Sequence, residues 1–270
     1  MAEQDRSFLD LCLAICDEAD TVSLPLFRAG VTARRKRDRS FVTDADLRIE
    51  TLARERITDA FPEHGIVGEE FGADAEQPSG VRWYIDPIDA THNFMRGIPV
   101  FATLLAVEDV AGMAAAAVSA PALGARWYAI RGGGAWRQST FRGAVLEDEP
   151  PRRMSVSSIE RLEDAQIVTS SSLELALDRT VPGFMSTAGR AWRERGFGDF
   201  WGYTLVAEGA AEAMIEVGMH SWDLAPMLLL LEEAGGRLTD LNGVRTINGA
   251  GAIASNGRFH EQLVKDLALA

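Results

Sequence analysis

An apolar run, Trp83-Tyr84-Ile85, delivers a carboxylate at Asp86, and the Pro87 behind it forces a turn. Asp89 follows, ahead of Ala90-Thr91-His92-Asn93-Phe94, where a new helix can begin. Two carboxylates so spaced on a turn can ligate one cation or two adjacent ones. The amides of Ala90 and Thr91 can face an anion. Two other acidic segments share this context. Gly68-Glu69-Glu70-Phe71-Gly72 puts adjacent carboxylates just after the apolar Gly65-Ile66-Val67-Gly68, and Ser221-Trp222-Asp223-Leu224-Ala225-Pro226 puts one ahead of the apolar run 227–231. Each also has a plain reading, Glu69-Glu70 as a solvated loop and Asp223 as a helix cap worth about 1 kcal/mol. Four hard oxygen ligands suit Mg²⁺ better than zinc, because the four histidines are scattered and none pair at ligand spacing.

Elements must hold these residues in place. Phe8, Leu11, Cys12, Ile15, Cys16, Ala19 and Val22 recur at helical spacing, so a first helix is expected to run to about Pro25, with Cys12 and Cys16 as core thiols. A loop with the basic run Arg34-Arg35-Lys36-Arg37 follows. Thr43-Asp44 then caps a second helix through about Ala60, and Pro62 stops it. Strands are expected at 65–68, 81–85, 102–107 and 113–120, and a hairpin over 127–136 broken by Gly132-Gly133-Gly134. Acidic Leu146-Glu147-Asp148-Glu149-Pro150-Pro151 reads as a linker. The second half alternates: strand at 166–169, helix at 203–212, strand at 213–217, helix at 224–234, strands at 236–240 and 252–254, helix at 259–267. Such alternation indicates a layered α/β fold.

Composition narrows the function. The 270 residues are 47% apolar, ample for a large core, with 27 Lys+Arg against 40 Asp+Glu and a formal net charge of −13. A nucleic-acid binder needs a basic footprint that this chain lacks. No apolar run approaches the roughly 18 residues of a membrane span, the acidic start is unlike a signal peptide, and two cysteines make no disulfide framework. A cytoplasmic enzyme with no nucleic-acid or membrane partner is expected.

Taken together, Gly68-Glu69-Glu70, Asp86-Pro87-Ile88-Asp89-Ala90-Thr91 and Trp222-Asp223-Leu224-Ala225 resemble the inositol monophosphatase family of Mg²⁺-dependent, lithium-sensitive phosphatases. Lys36 with Val42-Thr43-Asp44-Ala45-Asp46 is similar to that family's upstream element, and Glu233-Ala234-Gly235-Gly236 with Asp240-Leu241-Asn242-Gly243 to its late one. The resemblance spans nearly the whole chain. It implies an αβαβα sandwich with the site between two halves, 1–145 carrying most metal ligands and 152–270 carrying Asp223 and the specificity segment. It further implies Glu69, Asp86, Asp89, Asp223 and the Ile88 carbonyl as ligands for two or three Mg²⁺ ions. Asp46 would orient Thr91 or a water, and Thr91 with Glu69 or Glu70 would position the attacking water. The Ala90 and Thr91 amides would hold phosphate, and a homodimer is expected. The family usually has Gly where this chain has Ala90. A negative φ there makes alanine harmless, whereas a positive φ puts the phosphate cradle in doubt.

The segments Ser119-Ala120-Pro121-Ala122-Leu123, Arg126-Trp127-Tyr128-Ala129, Arg131-Gly132-Gly133-Gly134-Ala135 and Arg195-Gly196-Phe197-Gly198-Asp199-Phe200-Trp201-Gly202-Tyr203 resemble the histidinol-phosphate phosphatase branch. Charge agrees, since histidinol carries an ammonium that Asp199 and Glu216 suit and a neutral polyol lacks. The expected function is therefore histidinol-phosphate hydrolysis. The alternatives are an inositol-1-phosphatase or broader sugar-phosphate phosphatase, and a weakly active metal- and phosphate-binding regulator. The glycines at 196, 198 and 202 miss the dinucleotide spacing, and Gly132-Gly133-Gly134 lacks the Lys-Ser/Thr of a P-loop.

Overall fold

The computed structural model describes residues 2–29, 32–36, 41–74, 79–146 and 148–269. Arg37 of the basic run and Glu147 of the acidic linker lie outside them. Two compact units divide the chain, Met1–Arg153 and Met154–Ala270.

The first unit contains α1 (Ala2–Ala29), β1 (Ala33–Arg35), β2 (Phe41–Thr43), α2 (Asp44–Ala60), β3 (Gly65–Gly68), β4 (Gly72–Ala73), β5 (Arg82–Asp89) and α3 (Thr91–Met95). Then come β6 (Ala102–Asp109), β7 (Gly112–Ala120), β8 (Ala125–Ile130), β9 (Gly134–Phe141), β10 (Ala144–Val145) and β11 (Arg152–Arg153). Nine of these strands form one sheet in the order β10-β9-β8-β7-β6-β5-β3-β4, with β11 also on β9. Neighbours in this order pair antiparallel, except that β3 and β5 run parallel. The apolar stripe of α1, including Phe8, Cys12, Ile15 and Cys16, packs with Ile57 of α2 and with Trp83, Leu105, Val107 and Ala117 of the sheet. Both cysteines are buried free thiols. Arg126, itself buried, bonds Ser119, Asp17 and Asp20, and so ties β7 and β8 to α1.

The second unit contains β12 (Gln166–Thr169), α4 (Ser172–Leu177), α5 (Phe184–Arg190), β13 (Arg193–Arg195), α6 (Asp199–Ala207), β14 (Ala213–Val217), α7 (Ser221–Glu233), β15 (Arg237–Thr239), β16 (Gly251–Ser255) and α8 (His260–Ala268). Its mixed sheet runs β13-β12-β14-β16-β15. Ile167, Ile215, Ile253, Phe184 and Leu263 form its core. Each unit thus sets helices against a sheet, the layered α/β class. Among the described residues no helix is long and apolar enough to cross a membrane.

Three local expectations are corrected, and two unread helices are added. Pro25 does not end α1, which continues to Ala29. The proline faces solvent, where the carbonyl it leaves unpaired can be hydrated, while Leu24 is buried and Phe27 packs on Phe94 and Phe101. Pro87 makes no turn; β5 runs on through it to Asp89. Helix α6 spans 199–207 and not 203–212, because the left-handed Gly209 ends it. Helices α4 and α5 occupy a stretch with too few periodic apolar positions to be read as helical.

Candidate active site

The β5 end explains how two carboxylates come to share a face. Residues three apart on a regular strand point to opposite faces. Here Asp86 pairs with Leu104 and Asp89 with Ala102, so two β5 residues oppose the single Thr103. That extra residue is a bulge, and it shifts the alternation by one. Pro87, which has no ladder donor to lose, sits inside it. Thr103 donates its hydroxyl to the Pro87 carbonyl at 2.9 Å and fixes the irregularity. Carboxylate oxygens of Asp86 and Asp89 consequently lie within 4.8 Å of one another, with Asp86 buried. Two such charges repel unless a cation lies between them, and their hard oxygens fit Mg²⁺.

Parallel pairing brings up the next acid. Gly68 is in register with Ile85, and the Glu69 amide donates to the Ile85 carbonyl at 3.1 Å, so Glu69 follows its strand end beside Asp86. Lys36 donates to Glu69 at 2.9 Å and to Glu70 at 2.7 Å. Burial of Lys36 works against its charge, but these two bonds outweigh it and raise its pKa. An ammonium thus already serves as counter-cation for both acids. Burial, only partly offset by Lys36, lifts the Glu70 carboxyl to about 7.

Asp46 caps α2 with Thr43, accepting the Thr43 backbone N–H at 2.8 Å and its hydroxyl. Burial raises Asp46 to about 6, and the nearby Glu69 charge adds to this. The Thr91 hydroxyl donates to the Ile88 carbonyl at 3.0 Å. Asp46 and Glu69 are therefore neighbours, whereas the bonds made by Asp46 and Thr91 run to Thr43 and Ile88. Ala90 precedes α3 at φ 62° and ψ 46°, the left-handed region, and its carbonyl accepts from Asn93 and Phe94. The position is not helical, and alanine is strained in it.

Sequence reasoning missed Glu50. Fully buried on α2, it is paired with Arg54 at 2.9 Å and accepts the amides of Glu70 at 2.7 Å and Phe71 at 3.2 Å. A Cβ at Gly68 would run into this carboxylate. Its signal was faint: one more glutamate on a charged helix, twenty residues before the first of the amides that it accepts.

In the second unit Asp223 is the third residue of α7, and its carboxylate accepts the His220 amide at 2.8 Å. The His220 and Trp222 rings stack at 4.7 Å. Asp199 opens α6 in the left-handed region, at φ 55°. It lies close to Glu216 of β14, whose carboxyl is raised to about 8 by burial and secondarily by the Asp199 charge. Ser170 and Tyr203 favour the charged form of Glu216 without overcoming its burial. The structure thus brings Asp199 and Glu216 together, and a Cβ on the preceding Gly198 would collide with Ser170.

Residues 14–269 match the model of the Inositol monophosphatase family. The chain belongs to that family. It is 39% identical over 260 residues to a histidinol-phosphatase of Mycobacterium tuberculosis, covering 96% of this chain and 97% of that protein. A histidinol-phosphatase of Streptomyces coelicolor is 37% identical over 265 residues, 95% of each chain. Among solved structures, the extragenic suppressor protein suhB from Bartonella henselae superposes with a TM-score of 0.80 at 25% identity, over 97% of this chain and 98% of that one.

Proposed function

We propose that this family member is a Mg²⁺-dependent histidinol-phosphate phosphatase. The observation that carries the reading is the Asp86–Asp89 carboxylate pair within 4.8 Å on a bulged strand end, in a chain 39% identical to a protein named histidinol-phosphatase. Glu69, Asp86, Asp89 and the Ile88 carbonyl of the first unit, with Asp223 of the second, would hold two or three ions. When bound, Mg²⁺ supplies positive charge to the phosphate and acidifies water.

The chain's own groups divide the remaining work. Glu69, Glu70 and Thr91 position the attacking water, and Asp46 orients that group. A Glu70 carboxyl near 7 can exchange a proton at neutral pH. The Ala90 and Thr91 amides hold the phosphate. Asp199 and Glu216 receive the substrate's ammonium, and that cation would pull the Glu216 carboxyl down from about 8.

Lithium inhibition, a cytoplasmic setting and a homodimer complete the proposal. An apolar groove of about 380 Å³ lined by Leu24, Phe27, Pro121, Leu123 and Phe141 offers a face for the second copy. The alternative of a weakly active metal- and phosphate-binding regulator draws on Ala90 alone. Initial-rate phosphate release in Mg²⁺ from histidinol phosphate, inositol 1-phosphate, fructose 1,6-bisphosphate and 3′-phosphoadenosine 5′-phosphate tests the reading. Histidinol phosphate should give the highest kcat/KM. An ionised hydrogen bond to ammonium accounts for roughly 10- to 150-fold, so Asp199→Asn should cost about that on histidinol phosphate and spare inositol 1-phosphate. Equal losses on both esters would make Asp199 structural, and inositol 1-phosphate ranking first would make the chain an inositol phosphatase.

A further inference from the structure

The triglycine turn between β8 and β9 is not used by the reading above, yet it closes one side of a groove of about 540 Å³. Leu9 and Arg6 of α1 line another side, and Tyr128, Ile130 and Trp136 line the sheet side. Register explains the sheet side. Tyr128 pairs with Trp136, and Trp136 with Arg153, so three side chains stand in one row on one face of the sheet. The turn keeps that face open: Gly132 and Gly134 are left-handed, at φ 68° and 84°, and a Cβ on Gly133 would strike Ile130. The Trp136 indole N–H donates to the Gly133 carbonyl at 3.0 Å, which sets the ring before any ligand arrives.

The charges around the groove are of two kinds. Arg131 is neutralised, bonded to Asp5 and Asp109 at 2.8 and 2.7 Å. Arg6 is exposed, its charge reaches the Tyr128 hydroxyl, and it makes no ion pair among the described residues. Arg153 likewise makes none, and its guanidinium lies over Gly134, where a Cβ would come within 3.0 Å of its Nε. Among the described residues Arg6 therefore brings an unpaired guanidinium to a pair of aromatic rings, with Arg153 one strand beyond Trp136, on a chain whose net charge is −13.

We infer that this groove is a binding site for a planar aromatic anion. The ring would lie against Tyr128 and Trp136, and its carboxylate or equivalent acid would be met by Arg6. Arginine suits the role because its planar fork pairs with a carboxylate through two parallel hydrogen bonds. The volume is that of an ordinary small-molecule site. All of these residues belong to the first unit, and none is part of the proposed metal and phosphate centre.

Calorimetric titration of the full chain in EDTA, where no metal-held carboxylate can contribute, tests the inference with 1-naphthoate, its uncharged analogue 1-naphthamide, and acetate. Naphthoate should bind one-to-one and at least about tenfold more tightly than naphthamide, the value of a charge-assisted contact, and acetate should give no heat. Arg6→Gln should bring naphthoate down to the affinity of naphthamide, and Arg6→Lys should restore part of the difference. Trp136→Ala should remove both ligands, and Trp136→Leu, which keeps packing volume, should weaken both by less. Because Arg6 is exposed on a helix, its arm stands even if a tryptophan variant unfolds. Equal affinities for the two naphthyl ligands, no heat with naphthoate, or undiminished naphthoate binding in Arg6→Gln would each overturn it.

Discussion

Ala90 holds a methyl group in the left-handed region, at φ 62°, where an L-residue is penalised by about 1–2 kcal/mol. Glycine would relieve that strain but adds unfolded-state entropy worth about 0.4–1 kcal/mol. Ala90→Gly should therefore raise stability by about 0.5–1 kcal/mol in denaturant titration, and any rise in turnover beside it would show that the strained alanine distorts the phosphate cradle. A loss of stability would mean that the methyl group packs usefully. Glu216 is strained in another way, its carboxyl being moved by burial from the ordinary 4.5 to about 8. Between those values the folded chain holds a proton that the unfolded chain has lost, so Glu216 makes stability fall as pH rises through that window. Glu216→Gln removes this dependence. Its melting temperature should exceed the native one clearly at pH 9 and approach it near pH 4, and a pH-independent difference would show that Glu216 does not titrate so.

At the scale of elements, the β5 bulge and the α2–β3 contact build the acidic centre. Gly68 is required by close approach and not by its φ, since the Glu50 carboxylate occupies the space of a Cβ. Gly68→Ala should cost roughly 1–3 kcal/mol as an overpacked site, and should lower phosphate release because Glu50 no longer holds the amides of Glu70 and Phe71. Native stability and native turnover together would remove Glu50 from this role. Much of the element layout could be read beforehand. Strands β3, β12 and β14 were legible as short apolar runs, and α2 as a capped helix, because local chemistry sets those boundaries. Pro25 and Pro87 misled for one reason: each would break an isolated element, but tertiary packing carries α1 past the first and a bulge absorbs the second. The φ of Ala90 was left open between two signs and that of Asp199 was not legible, since the surrounding turns set both.

Over the whole molecule, the acids at strand ends were visible in the sequence because each follows an apolar run, and the site reading rests on them. Glu50 was not, because a buried glutamate on a charged helix looks like its solvated neighbours. Its meaning comes only from amides twenty residues away. The same limit applies to Arg126, whose bonds to Asp17 and Asp20 on α1 lie more than one hundred residues distant in sequence. The central claim is that the carboxylates around Asp86 hold the Mg²⁺ that makes this chain a phosphatase. Phosphate release from histidinol phosphate, titrated with Mg²⁺ for the native chain and for Asp86→Asn, tests it most directly. The native chain should be inactive in EDTA and recover with Mg²⁺, while Asp86→Asn keeps a native circular dichroism spectrum and loses more than the roughly 100-fold seen for changes beyond the ligands themselves. Turnover in EDTA, or near-native turnover of Asp86→Asn at saturating Mg²⁺, would contradict it.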